Sequence, residues 1–237
     1  ASLHPARWVW CLLEKALESS EVQLFTRTRV LKVEEDGDQY VVHTERGTVR
    51  ASFVINAIEA HTAALHPQCG EFIHPVQTQA AFGTGGPENM KPHIGLSGKR
   101  GFFGGHEEGA MVGSDASRIS PKRANCNNPS RFITKFLMGE LYKYFGRSKL
   151  YVTHEWSGTP GFTADEFPVV GLLDGKRQYA IGGMCGSGTG VSFNAARHVV
   201  QQILEVDGPN DYPAEYFAPS RLLDPQNHSW PEIEEED

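Results

Sequence analysis

No run of apolar residues in this chain is long enough to span a bilayer as a helix, which takes about 20. Cysteine pairs at metal or redox spacing are missing as well. The four cysteines, Cys11, Cys69, Cys126 and Cys185, form no CxxC pair and no zinc spacing. The 10 histidines contain no HExxH or similar cluster, so nothing supports a metal site. Positive charge is scarce. The 22 Lys and Arg stand against 29 Asp and Glu, giving a formal charge of −7. That balance argues against a nucleic-acid surface. There is no initiator Met and no signal-peptide pattern. The opening Ala1-Ser2-Leu3-His4-Pro5 runs at once into a helical segment and reads like the middle of a longer protein.

What is present fits an ordinary globular chain. Apolar residues make up 39% and charged residues 22% of 237 positions, enough for one or two domains with a core. Scattered thiols point to a reducing, intracellular setting and a soluble protein. Glu232, Glu234, Glu235, Glu236 and Asp237 form an acidic tail, most simply a solvated one. Asn227-His228-Ser229 is formally a glycosylation sequon, too short a pattern to carry weight.

Hydrophobic spacing sets out the elements. Pro5 suits a first helical turn, and Val9, Leu12, Leu13 and Leu17 follow at helical intervals. Short strands are predicted at Val22–Thr26, Arg29–Glu34, Tyr40–Thr44 and Thr48–Ala51, with glycine turns at Gly37 and Gly47. Ser52–Ala57 is nearly all apolar and reads as a strand buried on both faces. Beyond His74 the pattern changes. Pro75–Thr84, Ile94–Ser97, Gly101–Gly104, Ala110–Gly113 and Leu150–Trp156 read as an antiparallel sheet with a helix over Arg131–Phe145. Strands at Phe167–Leu172 and Gln178–Ile181 precede a glycine cluster and a helix from about Ser192 to Glu205. Pro209, Pro213 and Pro219 break the remainder into irregular structure.

The glycine cluster carries the chemistry. It reads Gly182-Gly183-Met184-Cys185-Gly186-Ser187-Gly188-Thr189-Gly190-Val191-Ser192, between a strand and a helix. Glycines let backbone amides approach a ligand, and a helix N-terminus adds unpaired donors and a positive dipole end. Such a place suits an anion or an electron-rich oxygen. Ser192 and Thr189 are the N-cap candidates. The simpler alternative is a turn that lets helix and strand pack. A dinucleotide-binding βαβ unit needs a further parallel strand with an acidic residue at its end, and here the helix runs into Asp207-Gly208-Pro209. A P-loop would need Lys-Ser/Thr after the glycines.

A longer constellation is visible around the cluster. Trp156-Ser-Gly-Thr-Pro-Gly-Phe-Thr-Ala-Asp165-Glu-Phe-Pro168-Val-Val-Gly171 precedes the strand that ends at Gly182-Gly183. Upstream come Leu3-His4-Pro5, Arg29-Val30-Leu31-Lys32-Val33 and Val54-Ile55-Asn56-Ala57, in that order. Together they resemble the D-amino-acid oxidase, glycine oxidase and sarcosine oxidase superfamily, over residues 1 to 205. The resemblance implies a mixed fold, α/β plus α+β. Residues 1–67 and 156–208 would be parts of an FAD-binding domain of glutathione-reductase-like type, lacking its N-terminal βαβ. Residues 68–155 would be an antiparallel-sheet substrate domain, and 209–237 a tail. It places Val30 at the adenine and Ala57 at the pyrophosphate. Gly182, Gly183, Met184, Gly186, Ser187, Gly188, Thr189 and Gly190 would line the flavin ring, and Trp156 would be a substrate lid or a strand-end core residue.

The same resemblance implies oxidation of a C–N bond in a small amine or amino acid to an imine, by hydride transfer to flavin N5. No acid–base residue is singled out, and the histidines at 74, 93, 106 and 154 read as surface or core groups. The departures are informative. The family's G-x-G-x-x-G loop is absent, so a separate N-terminal half, or a non-catalytic fragment, is the alternative. Pro160 stands where relatives carry a carboxylate-binding Arg, which leaves Arg100, Arg118 and Arg123 as candidates and keeps amines open. No Cys lies near Trp156, so FAD would be held non-covalently, and Cys185 would serve packing. Gly190 replaces a Lys that some relatives use with oxygen. Glu59 follows the apolar strand where glycine is usual, and reads as an exposed helix-start residue pointing away from any phosphate.

Overall fold

A computed structural model describes residues 3–98, 100–114, 127–173, 176–208 and 212–223. Arg118, Arg123, Cys126, the 227–229 sequon and the acidic terminus lie outside them. In chain order the first elements are α1 (Pro5–Leu17), β1 (Val30–Asp36), β2 (Gln39–Thr44), β3 (Gly47–Ala51) and β4 (Val54–Asn56). Two 3-10 turns follow, η1 (Glu59–Ala64) and η2 (Pro67–Glu71). Next come β5 (His74–Pro75), β6 (Thr78–Gly85), β7 (Gly95–Gly98), β8 (Gly101–His106), β9 (Gly109–Ser114), α2 (Arg131–Phe145), β10 (Leu150–Gly158) and β11 (Gly161–Phe162). The last described elements are β12 (Val169–Leu172), β13 (Gln178–Gly182), α3 (Gly188–Leu204), α4 (Ala214–Phe217) and α5 (Ser220–Leu223). The result is a mixed fold with antiparallel sheets and helices.

The chain divides into two compact units, one within Ala1–Glu14 and Val76–Thr159, the other within Lys15–Pro75 and Pro160–Asp237. The first is built on a five-stranded antiparallel sheet, order β10-β6-β9-β8-β7. Alternation along the strands sends Ala81, Phe103 and Val112 to one face, where Leu137 and Leu141 of α2 close the core. The α2 stripe is narrower than its sequence suggests, because Phe132 is 82% exposed. A buried polar group fixes α2 to the sheet. Gln79 donates to Thr134 Oγ1 (2.8 Å) and the Ser130 carbonyl (2.9 Å), and its own amide donates to Ser114 Oγ (2.8 Å). Ser114→Ala strands that amide in the interior. We expect it to cost about 1–3 kcal/mol in denaturant titration, and a loss within error would show that another acceptor takes over.

The second unit holds two small sheets. β1, β2 and β3 form an antiparallel meander with the predicted glycine turns. The stretch Val22–Thr26, predicted as a strand, is coil with exposed Val22, Leu24 and Phe25. The other sheet has the order β12-β13-β4, antiparallel between β12 and β13 and parallel between β13 and β4. Val169 and Ala180 pack with Cys69, Phe72 and Ile73 on one face, while Val170 and Tyr179 meet Ala195 and Val199 of α3 on the other. Among the described residues β4 lies at the edge of this sheet. Its Ile55 is 41% exposed, so the expectation of burial on both faces fails there. Its Asn56 is buried and donates to the Tyr179 carbonyl at 3.0 Å, which pins β4 to β13.

The described residues 212–223 hold more regular structure than their prolines suggest. α4 and α5 are single helical turns on β12, with Leu222 buried. Tyr212 stacks on His198 of α3 at 4.6 Å between ring centroids. Burial pushes the Tyr212 hydroxyl up to about 12 and holds His198 below its ordinary value.

Candidate functional site

Two parallel strands, β4 and β13, end side by side, with Ala180 opposite Asn56. Each hands its chain to an irregular segment at the same edge. β4 leads through Ala57 into η1, and β13 leads into the glycine cluster. In open α/β sheets ligands bind outside such carboxyl ends, because the emerging loops are free to diverge there. Thus Ala57 and the 182–190 run arrive at one edge of one sheet.

The run itself is half loop and half helix. Gly183, Cys185 and Gly186 take positive φ values of 60, 49 and 80. α3 then begins at Gly188, with Ser187 as N-cap, so Thr189 and Ser192 lie inside the helix rather than capping it. Helical pattern misplaces the start because Gly188 and Gly190 hide it. The N-cap makes no side-chain hydrogen bond. Several amides in the run are already engaged. Met184 N–H donates to Glu59 Oε1 (2.8 Å), Cys185 N–H to the Gly161 carbonyl (2.9 Å), Ser187 N–H to the Met184 carbonyl (2.8 Å) and Gly190 N–H to the Ser187 carbonyl (3.0 Å). Among the described residues, the amides of Gly186, Gly188 and Thr189 have no such acceptor. These lie at the start of α3, where the helix dipole is positive.

The neighbourhood of the run is tied together by a residue that reads differently in the sequence. Glu59 is not an exposed residue pointing away. It is partly buried at φ 54, and its carboxylate turns toward the glycine run. Gly161 N–H donates to Oε2 at 2.6 Å and Met184 N–H to Oε1 at 2.8 Å. Burial holds its carboxyl above the usual range, opposed by the amides of Met184, Gly161 and Ala60 and by the nearby His61. The signal in the sequence is a lone carboxylate in the apolar stretch 54–60. Cys185 completes the packing. Its thiol donates to the Gly183 carbonyl (3.1 Å) and accepts from Thr163 N–H (3.4 Å).

The remaining sequence-derived site residues are spread more widely. Val30 opens β1 opposite Thr44, and the register shifts by one between Val30 and Lys32. Trp156 belongs to the other unit, in β10 opposite Ala80. It is 44% exposed and is not a core residue. It lies on the sheet face away from α2, as do Phe82 and His106, whose rings meet edge to face at 5.6 Å. Arg100 is an exposed turn residue. Among the described residues no group of His, Cys, Asp or Glu is placed to hold a metal, and no helix is long and apolar enough to cross a membrane.

Comparison with known proteins identifies a family and a shared fold. A family model described as FAD dependent oxidoreductase matches residues 1–202. L-proline dehydrogenase from P. horikoshii has a similar structure, with a TM-score of 0.70 at 21% identity over 84% of this chain and 55% of that one. Glycine oxidase from Geobacillus kaustophilus follows at 0.66 and 15%, covering 83% and 52% of the two chains. Iminodiacetate oxidase from Chelativorans sp. BNC1 gives 0.66 and 12%, covering 79% and 52%. A comparison with curated proteins found no match. The chain spans about half the length of the solved structures it resembles. On the match over residues 1–202, the chain belongs to the FAD dependent oxidoreductase family.

Proposed function

We propose that the chain forms part of an FAD-dependent enzyme that oxidises a C–N bond of a small amine or amino acid to an imine. The observation that carries this reading is the row of unengaged amides at Gly186, Gly188 and Thr189, at the positive end of α3 and beside the carboxyl ends of two parallel strands. Such donors suit the electron-rich N1–O2 edge of a flavin, so these residues fit the cofactor that the family implies. Gly182, Gly183, Met184, Ser187 and Gly190 would shape the run around the ring. Ala57 would pass the pyrophosphate and Val30 the adenine, without a covalent link. When bound, FAD would supply at N5 an acceptor for the hydride of the substrate carbon; the nitrogen would release its proton to solvent, and water would hydrolyse the imine. Trp156 would be a substrate contact.

Three of the similar structures are named for proline, glycine and iminodiacetate, each of which contains a C–N bond. Pro160, in place of a carboxylate-binding Arg, keeps simple amines among the candidates. A second reading is that the chain acts only with a separate N-terminal half, or is a non-catalytic subunit. Its basis is the half-length coverage of the similar structures. The visible spectrum of the purified chain separates the two. Under the first reading, added FAD is retained on gel filtration with shifted absorption bands and quenched fluorescence. FAD retained only after an N-terminal half is supplied would favour the second, and retention in neither case would sink the flavin reading.

A further inference from the structure

Glu59 makes an arrangement that no motif announces. Its two carboxylate oxygens take two backbone amides from segments far away in sequence, Gly161 in β11 and Met184 in the glycine run. Gly161 in turn accepts the Cys185 amide through its carbonyl at 2.9 Å. The three bonds form a closed ring through η1, β11 and the run. Space is as restrictive as polarity here. A Cβ on Gly161 would lie 2.6 Å from Glu59 Oε2 and 2.8 Å from Ile73 Cγ2, so a side chain there must displace the Glu59 carboxylate. A Cβ on Gly182 would lie 3.0 Å from the Glu59 carbonyl. The backbone of Glu59 is fixed too, since its carbonyl accepts the Thr62 hydroxyl at 2.7 Å.

We propose that Glu59 is a positioning residue that sets the shape of the 182–190 run by gripping the Gly161 and Met184 amides together. The proposal rests on the flavin reading of that run and says what holds it in shape. The grip turns the Met184 amide away from a ligand and leaves Gly186, Gly188 and Thr189 as the donors. A carboxylate suits this task because it offers two equivalent acceptors. Glutamine offers one acceptor and would turn an amide group against the second N–H. Alanine offers none.

Two variants test the idea, Glu59→Gln as the near-isostere and Glu59→Ala as the full deletion. Amide hydrogen exchange by mass spectrometry, without FAD, is the first readout. In both variants exchange across residues 183–187 should rise at least about tenfold, the equivalent of one lost charge-assisted hydrogen bond, with β12 and β13 unchanged. The second readout is FAD bound to the chain, or to the chain with its N-terminal half. Affinity should fall about tenfold and the visible bands of bound FAD should move. Unchanged exchange at 183–187 overturns the proposal, and so does a rise spread through β12 and β13, which is the mark of a merely structural residue. A loosened run that binds FAD with unaltered affinity and spectrum also overturns it. If the parent chain takes up no FAD in either form, the flavin reading fails, and the exchange data still decide whether Glu59 holds the run.

Discussion

Replacing Arg221 with Ala should lower the stability of the Lys15–Pro75 and Pro160–Asp237 unit by about 3–5 kcal/mol. Arg221 is a hub for the end of the chain. Its Nε donates to Asp165 Oδ2 at 2.7 Å, and a terminal nitrogen donates to Oδ1 at 3.0 Å and to the Phe167 carbonyl at 2.7 Å. The two side chains are only 13% and 12% exposed, so water screens the pair weakly. Truncation leaves the Asp165 carboxylate buried without its cation, a larger loss than the net value of the pair. Urea titration with α4 and α5 monitored by exchange would check this. A change under about 1 kcal/mol, the usual range of exposed pairs, would mean that water enters freely. The pH dependence follows from the same geometry. Burial pushes the Asp165 carboxyl upward, but the hydrogen bonds from Arg221 outweigh it and hold the group below its ordinary value. A depressed carboxyl contributes stability above the unfolded value of about 3.9 and loses it as pH falls through the folded value. The gap between parent and Arg221→Ala should therefore be full at neutral pH and close on strong acidification.

The second large effect is expected at Gly183. Valine there must hold φ near 60, a left-handed conformation that β-branched residues strongly resist. Its Cβ would lie 3.1 Å from Thr163 Cγ2 and 3.4 Å from Ile73 Cγ1, so relief by a small shift is blocked. Strain and crowding together amount to roughly 2–4 kcal/mol. Either the run moves or the unit is destabilised. FAD affinity should then fall about a hundredfold or more, measured by fluorescence quenching alongside circular dichroism. Gly139→Ala in α2 is the control, since a Cβ there meets no atom within 4 Å and φ is not positive. Its affinity should stay within about twofold, roughly 0.4 kcal/mol. Parent-like binding by Gly183→Val would separate the run from the flavin.

Much of the fold is legible in the sequence because the strands alternate and the turns carry glycine. β1 to β3, β6 to β10 and α2 stand where periodicity puts them, to within a few residues. The failures have physical causes. Val22–Thr26 has strand composition but pairs with nothing, since strand propensity acts only through a neighbour. Ser52–Ala57 looks buried on both sides, yet composition cannot tell a central strand from the edge strand that β4 is. The start of α3 is hidden by Gly188 and Gly190, poor helix formers that are tolerated in a first turn. The glycine run is legible as a turn between strand and helix, whereas the division of its amides is not. That division depends on Glu59 and Gly161, which lie 125 and 23 residues from Met184 and meet it only in the fold.

The pairing of β4 with β13 also constrains the order in which the molecule can form. Asn56 and Tyr179 are 123 residues apart, so the two strands cannot pair until the ribosome has released β13. The stretch Val76–Thr159 between them makes its own antiparallel contacts and can condense first. During synthesis β4 therefore waits with the edge meant for β13 unpaired. Yields of properly folded protein should depend on how quickly the segment after Gly161 emerges.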